Sequence, residues 1–256
     1  MVDFGVDWAG KGWIVCRLDD ENDGDVIEFH PSIQSIWFHE RPARRILIDI
    51  PIGLSANSLR KCDQLAADYL GKRGRRSSIF PAPIREAVYA RNLNEAKNKQ
   101  KSLGHSISNQ SWALVPCIRE VDTFLRDTPP ARSTVLETHP EICFSRFNDE
   151  VGNTKHLPRK STQQGERRRE SLLKRLLGPD RFEDLRSSFR QLTQPDFAPL
   201  LPYERSYDDF LDAVVCALAS EISASTLESF PERPSSDECG IPMAIHFPPD
   251  GVLNNR

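Results

Sequence analysis

The chain has 256 residues, of which 38% are hydrophobic and 28% charged, and its net charge is −3. That length suits one large domain or a core domain with an insertion, and the composition is that of a globular protein. No apolar run approaches a membrane span, no basic-then-apolar leader is seen, and the chain as a whole is not a polycation. Any contact with nucleic acid therefore has to come from local basic patches.

The elements are expected in the following order. Phe4 to Trp8 reads as a strand, Ala9 to Gly12 as a tight turn and Trp13 to Leu18 as a second strand, together a β-hairpin. A dinucleotide-binding unit would follow its glycine-rich turn with a helix, whereas Trp-Ile-Val-Cys follows here, which favours a strand. "DDENDGD" is a second turn and "VIEFH" a third strand, and "SIQSIWFHE" suits a short helix. Ile46 to Ile50 is a buried strand stopped by Pro51. From Ser58 to Leu70 the apolar residues Leu59, Cys62, Leu65, Ala66 and Tyr69 fall near a helical period. "GKRGRRSSIFPAP" is a basic loop. Asn94 to Phe124 reads as one or two helices, broken near "GHSISNQS" and Pro116. Thr134 to Glu137 begins another strand, and "KHLPRKSTQQGERRRESLLKRLLG" runs from loop into basic helix. Asp208 to Ser225 is a helix with Phe210, Leu211, Val214, Val215, Leu218 and Ile222 in one stripe. Residues 227–256, rich in Pro and Ser, are expected as a loosely packed tail with one edge strand in "IPMAIHFP". The order is that of an α/β domain over 1–226, with a mixed sheet covered by helices. The six cysteines contain no Cys-x-x-Cys pair, and Cys16, Cys143 and Cys216 sit in apolar runs. They read as buried, reduced thiols of a cytoplasmic protein.

Carboxylates stand where packing alone would not put them: Asp7 in the first strand, Asp49 in "ILIDIP", Glu137 at the end of "STVLE", and Asp209 and Asp212 in "YDDFLDAVVCALAS". On a helix Asp212 neighbours both Asp208 and Asp209, on the flank of the apolar stripe. Acids gathered at strand ends repel one another and need a cation; all-oxygen ligation suits Mg²⁺ or Mn²⁺. Two such ions about 4 Å apart activate water and stabilise the leaving oxygen in phosphodiester cleavage. Each acid also has a purely structural reading: Asp208 or Asp209 as a helix cap, Asp49 bonded to strand-end amides, Glu137 paired with an arginine.

"GVDWAGKGW", "LIDIPIGL", "ETHPEICF" and "DDFLDAVVCALA", in this order and spacing, resemble the predicted RNase H-like nuclease family, domain of unknown function 429. "DQLAADYLGKRGRRSSIFPAP" and "KSTQQGERRRESLL" resemble it too. The resemblance implies an RNase H-like fold: a mixed five-stranded sheet whose first three strands are antiparallel, flanked by helices and here carrying a helical insertion. It also implies functional acids at Asp7, Asp49 and the Asp209/Asp212 pair, with Glu137 as an added candidate. Within that superfamily the closing Asp-x-x-Asp-Ala segment is more similar to Holliday-junction resolvases than to ribonuclease H.

Two basic clusters are candidate phosphate contacts: Lys72, Arg73, Arg75 and Arg76, and then Lys155, Arg159, Lys160, Arg167, Arg168 and Arg169, with Lys11 in the hairpin turn. Their alternative is a solvated charged surface. His139 is a candidate proton shuttle or phosphate contact, or else a structural histidine. The leading expectation is a metal-dependent nuclease using Mg²⁺ or Mn²⁺ on RNA, DNA, a hybrid or a branched substrate. The alternatives are a nucleic-acid- or protein-binding module without turnover, and an actin-like phosphotransferase. The last would require a second glycine-rich phosphate loop, and "YDDFLDAVVCALAS" has no glycine.

Overall fold

The computed structural model describes residues 2–19, 24–39, 42–104, 106–152, 156–194, 202–222 and 227–255. In chain order the elements are β1 (Val2–Trp8), β2 (Trp13–Leu18), β3 (Val26–His30), α1 (Ile33–Trp37), β4 (Ala43–Ile48), α2 (Lys61–Gly71), α3 (Arg85–Val88), α4 (Leu93–Gln100), α5 (Asn109–Asp127), β5 (Val135–Glu137), α6 (Pro140–Glu150), α7 (Gln163–Leu177), α8 (Pro179–Leu192), α9 (Tyr203–Ile222), β6 (Glu228–Phe230) and β7 (Ile245–Phe247). One five-stranded sheet has the order β3-β2-β1-β4-β5, and β6 and β7 form a second, two-stranded sheet. β1 pairs antiparallel with β2, β2 antiparallel with β3, and β1 parallel with β4. This is the mixed sheet of the RNase H-like, α/β expectation.

The hairpin follows from its turn chemistry. Ala9 N donates to Gly12 O at 2.9 Å, and Gly10 takes φ +83°, a conformation glycine adopts without strain. β2 is buried along its whole length, and Trp13 packs edge-on against Trp8 with centroids 4.9 Å apart. β4 ends at Ile48, two residues earlier than expected, so Asp49 lies just past the strand. The helix expected over 94–124 is α4 and α5; Pro116 stands inside α5 and does not end it. α8 follows α7 through Gly178, a helix not among those expected from the sequence. α9 is buried on every side from Phe210 to Ser220 rather than along one stripe. No helix among the described residues is long and apolar enough to cross a membrane. Residues 20–23, 155 and 223–225, which fall in the expected second turn, basic cluster and last helix, lie outside the described residues.

The chain divides into two compact units, Met1–Asp49 with Thr138–Glu228 and Phe247–Arg256, and Ile50–Glu137 with Ser229–His246. The first unit carries β1 to β4 and the helices α1 and α6 to α9. The second carries α2 to α5. One of its apolar clusters is Ile84, Ala87, Ala90, Ala96 and Ile107, with Leu93, Leu103 and Trp112 against it. The tail expected from residue 227 is instead built into structure. Within the second unit Asp237 accepts from the amides of Leu54, Cys239 and Ile241 and from the Arg85 guanidinium. Ile241, Ala244 and Ile245 are buried. Pro and Ser density marked irregular backbone, and side-chain hydrogen bonds rather than periodic apolar residues hold it.

Candidate functional site

β1 and β4 run parallel in register, Val6 beside Ile48, and Asp49 N donates to Val6 O at 3.0 Å. Asp7 and Asp49 therefore stand side by side where the two strands end. Alternate residues of β1 share one face, so Asp3, Gly5 and Asp7 point the same way. A β-carbon on Gly5 would lie 2.1 Å from both Ala213 O and Ala217 N of α9. The helix backbone thus rests directly on the strand, as only glycine permits. At one end of this contact Ser220 Oγ donates to Asp3 at 2.6 Å. At the other end Asp7 feels the charges of Asp212 and Asp209. α9 consequently runs against the direction of β1 and delivers its two aspartates to the end of the strand.

Asp7 and Asp212 are buried, 7% and 2% exposed, and Asp49, Asp208 and Asp209 are half-buried. Burial pushes the Asp7 carboxyl well above the usual carboxylate range, and the charges of Asp49, Asp212 and Asp209 push it further. Burial also raises Asp49, with His139 and Lys160 pulling it down and Asp212 pushing it up. Asp209 is pushed up to about 7, by burial first and by Asp212 next. Asp208 is raised by the same two causes. Trp8 N donates to Asp7 Oδ1 at 2.8 Å.

Lys160 enters this group from the segment before α7. Its Nζ donates to Asp212 Oδ2 at 2.7 Å, and Asp212, Asp7 and Asp49 together hold its charge on. The backbone around it is clamped. Arg169, itself buried, donates to Pro158 O at 2.9 Å and to Glu141 Oε1 at 2.5 Å. Thr162 Oγ1 donates to Arg159 O at 2.7 Å, and a β-carbon on Gly165 would strike the same carbonyl. Arg169 is thus a structural pin, not the phosphate contact expected of it.

The other sequence candidates are divided between the two units. Glu137 lies in the second unit, where Arg60 donates to both its carboxylate oxygens at 2.7 and 2.8 Å and Ile52 N donates at 2.7 Å. Its arginine-paired reading is the one the fold realises. His139 is the N-cap of α6: its Nδ1 accepts from Glu141 N at 3.2 Å, which leaves the proton of a neutral ring on Nε2. Lys11 is exposed in the turn that follows β1, and Arg168 is exposed on α7. Arg73, Arg75 and Arg76 belong to the second unit; Arg73 lies 3.9 Å over the Tyr69 ring, and Arg76 pairs with Asp68 at 2.5 Å. Gly5 and the clamp around Lys160 stand outside the sequence candidates. The first had a signal: a glycine between two same-face aspartates, opposite small residues four apart, Ala213 and Ala217.

All-oxygen donors with too little positive charge suit a hard divalent cation. As the side chains stand, however, no group of three or more His, Cys, Asp and Glu among the described residues is arranged to hold a metal ion. In the group at the strand ends, the ammonium of Lys160 takes a cation's part.

The description "Protein of unknown function (DUF429)" matches residues 5–236, most of the chain. The chain belongs to this family. No curated protein and no solved structure matches it.

Proposed function

We propose that the chain is a metal-dependent RNase H-like nuclease that hydrolyses phosphodiester bonds of nucleic acid, with Asp7, Asp49, Asp209 and Asp212 as its reaction centre. One observation carries the reading. Acids from β1, from the end of β4 and from α9 meet in one place, and their charges oppose one another. Such crowding lowers stability and has no packing return, which is the mark of a site kept for chemistry. Asp7, Asp49 and Asp212 would hold Mg²⁺ or Mn²⁺, with Asp209 beside them. The bound cation would supply charge to the phosphodiester oxygens and make water acidic. Lys11 and Arg168, both exposed, would offer donors to backbone phosphates without reading sequence. The six free cysteines suit the reducing cytoplasm.

A second reading, a nucleic-acid- or protein-binding module without turnover, draws support from the Lys160–Asp212 pair, which already gives the site a cation. The two separate in one experiment. RNA, DNA, hybrid and branched substrates are incubated with Mg²⁺ or Mn²⁺ and either the native protein or Asp7→Asn. Cleavage that falls at least about 100-fold in the variant supports the nuclease. Salt-sensitive binding without cleavage supports the second reading. If the native protein neither cuts nor binds any substrate, both readings fail.

A further inference from the structure

We propose that Lys160 is a built-in competitor for the metal: its ammonium holds the carboxylate group until a divalent cation displaces it. This rests on the metal-site reading above and specifies how that site is loaded. Three observations carry it. The Lys160 ammonium bonds Asp212, a carboxylate assigned to the metal, at 2.7 Å, and Asp212 is buried. The backbone on either side of Lys160 is pinned, by Arg169 at Pro158 and by Thr162 and the close approach of Gly165 at Arg159. The lysine side chain itself is 44% exposed.

A pinned backbone with an open side chain makes a lever rather than a loop closure. The four-carbon stem can turn its ammonium from Asp212 toward water with no main-chain movement. A metal entering the group meets this ammonium as a like charge a few ångströms away, so both cannot be held at full strength. Metal affinity in the native protein is therefore reduced by the cost of expelling Lys160. Removal of the charge should raise that affinity, although an oxygen-only site loses no ligand when a lysine is changed. The displaced ammonium remains tethered beside the metal position, where an anionic phosphodiester would meet it.

The test is Mn²⁺ binding, measured by calorimetry and by the rise in Tm with added Mn²⁺, for the native protein, Lys160→Met, Lys160→Arg and Asp7→Asn. Methionine keeps the length and apolar stem of the side chain, and arginine keeps the charge. Lys160→Met is expected to bind Mn²⁺ about tenfold more tightly or better, with a larger Mn²⁺-induced rise in Tm. Lys160→Arg should stay near the native affinity, and Asp7→Asn should lose binding. If the native protein binds Mn²⁺ and Lys160→Met binds it equally or more weakly, competition is overturned and the metal site stands. If neither binds, the metal-site reading is overturned and competition falls with it. Tm without metal reports whether each variant is folded.

Discussion

Two groups of buried acids in this protein are organised in opposite ways. Around Arg60, one guanidinium serves Glu137 and Asp63, and the amides of Ile52 and Ala82 complete the carboxylates. Burial pushes Glu137 up to about 7 while Arg60 pulls it down, and the pair is closed by geometry. At the ends of β1 and β4, acids from three segments are brought together with one lysine ammonium on Asp212. Asp3 shows the contrast within a single strand: on the same face as Asp7, it is paired with Arg44 and bonded by Ser220. The acids around Arg60 come with a donor for each carboxylate, whereas those at the strand ends share one ammonium among several carboxylates.

The largest effect expected from breaking this contrast is at Arg60. Arg60→Met leaves Glu137 and Asp63 buried without their cation and should lower unfolding free energy by about 3–5 kcal/mol in urea titration. A loss under about 1 kcal/mol would show that the first group is not the structural one. Gly5→Ala comes next. Its β-carbon meets helix backbone rather than a flexible side chain, so a loss of about 3 kcal/mol is expected. At the proposed metal site Mn²⁺ affinity should fall with it as α9 lifts from β1, and retained affinity would show that this contact does not place Asp212.

Asp209 sharpens the comparison through pH. Its folded-state pKa, about 7, lies above the ordinary 3.8, so the folded protein holds this proton more tightly than the unfolded chain. The stability it contributes is complete below about pH 4 and is lost as pH rises through about 7. Asp209→Asn should therefore flatten the decline in Tm between about pH 4 and 7, and parallel Tm profiles for native protein and variant would contradict the crowding of the site. Smallest is the exposed Arg76–Asp68 pair: Asp68→Asn should change stability by no more than about 0.5 kcal/mol in the same urea assay. A larger change would mean that this basic loop is held by its ion pairs.

The hairpin, the short β3, the buried β4 and the closing helix were legible because each is a local pattern: a glycine turn, an apolar run, a helical period. Asp7, Asp49, Asp209 and Asp212 were legible for a related reason, since an acid inside an apolar run contradicts its surroundings. Glu137 contradicts its surroundings in the same way, and only the arrival of Arg60, 77 residues away in sequence, separates it from the others. The tail from 227 misled because its cohesion comes from Asp237 bonding to Leu54 and Arg85, partners that no periodicity announces.

By itself, then, the sequence determined the α/β order of elements and which acids are out of place. The tertiary structure decided which of those acids meet. It did so through two contacts that local pattern does not contain: the bare backbone of Gly5 admitting α9 to the strand, and the clamp of Arg169, Thr162 and Gly165 that sets Lys160 among the aspartates. Side-chain charge is written residue by residue, but repulsion and pairing depend on distance, and distance between segments exists only once the chain has folded.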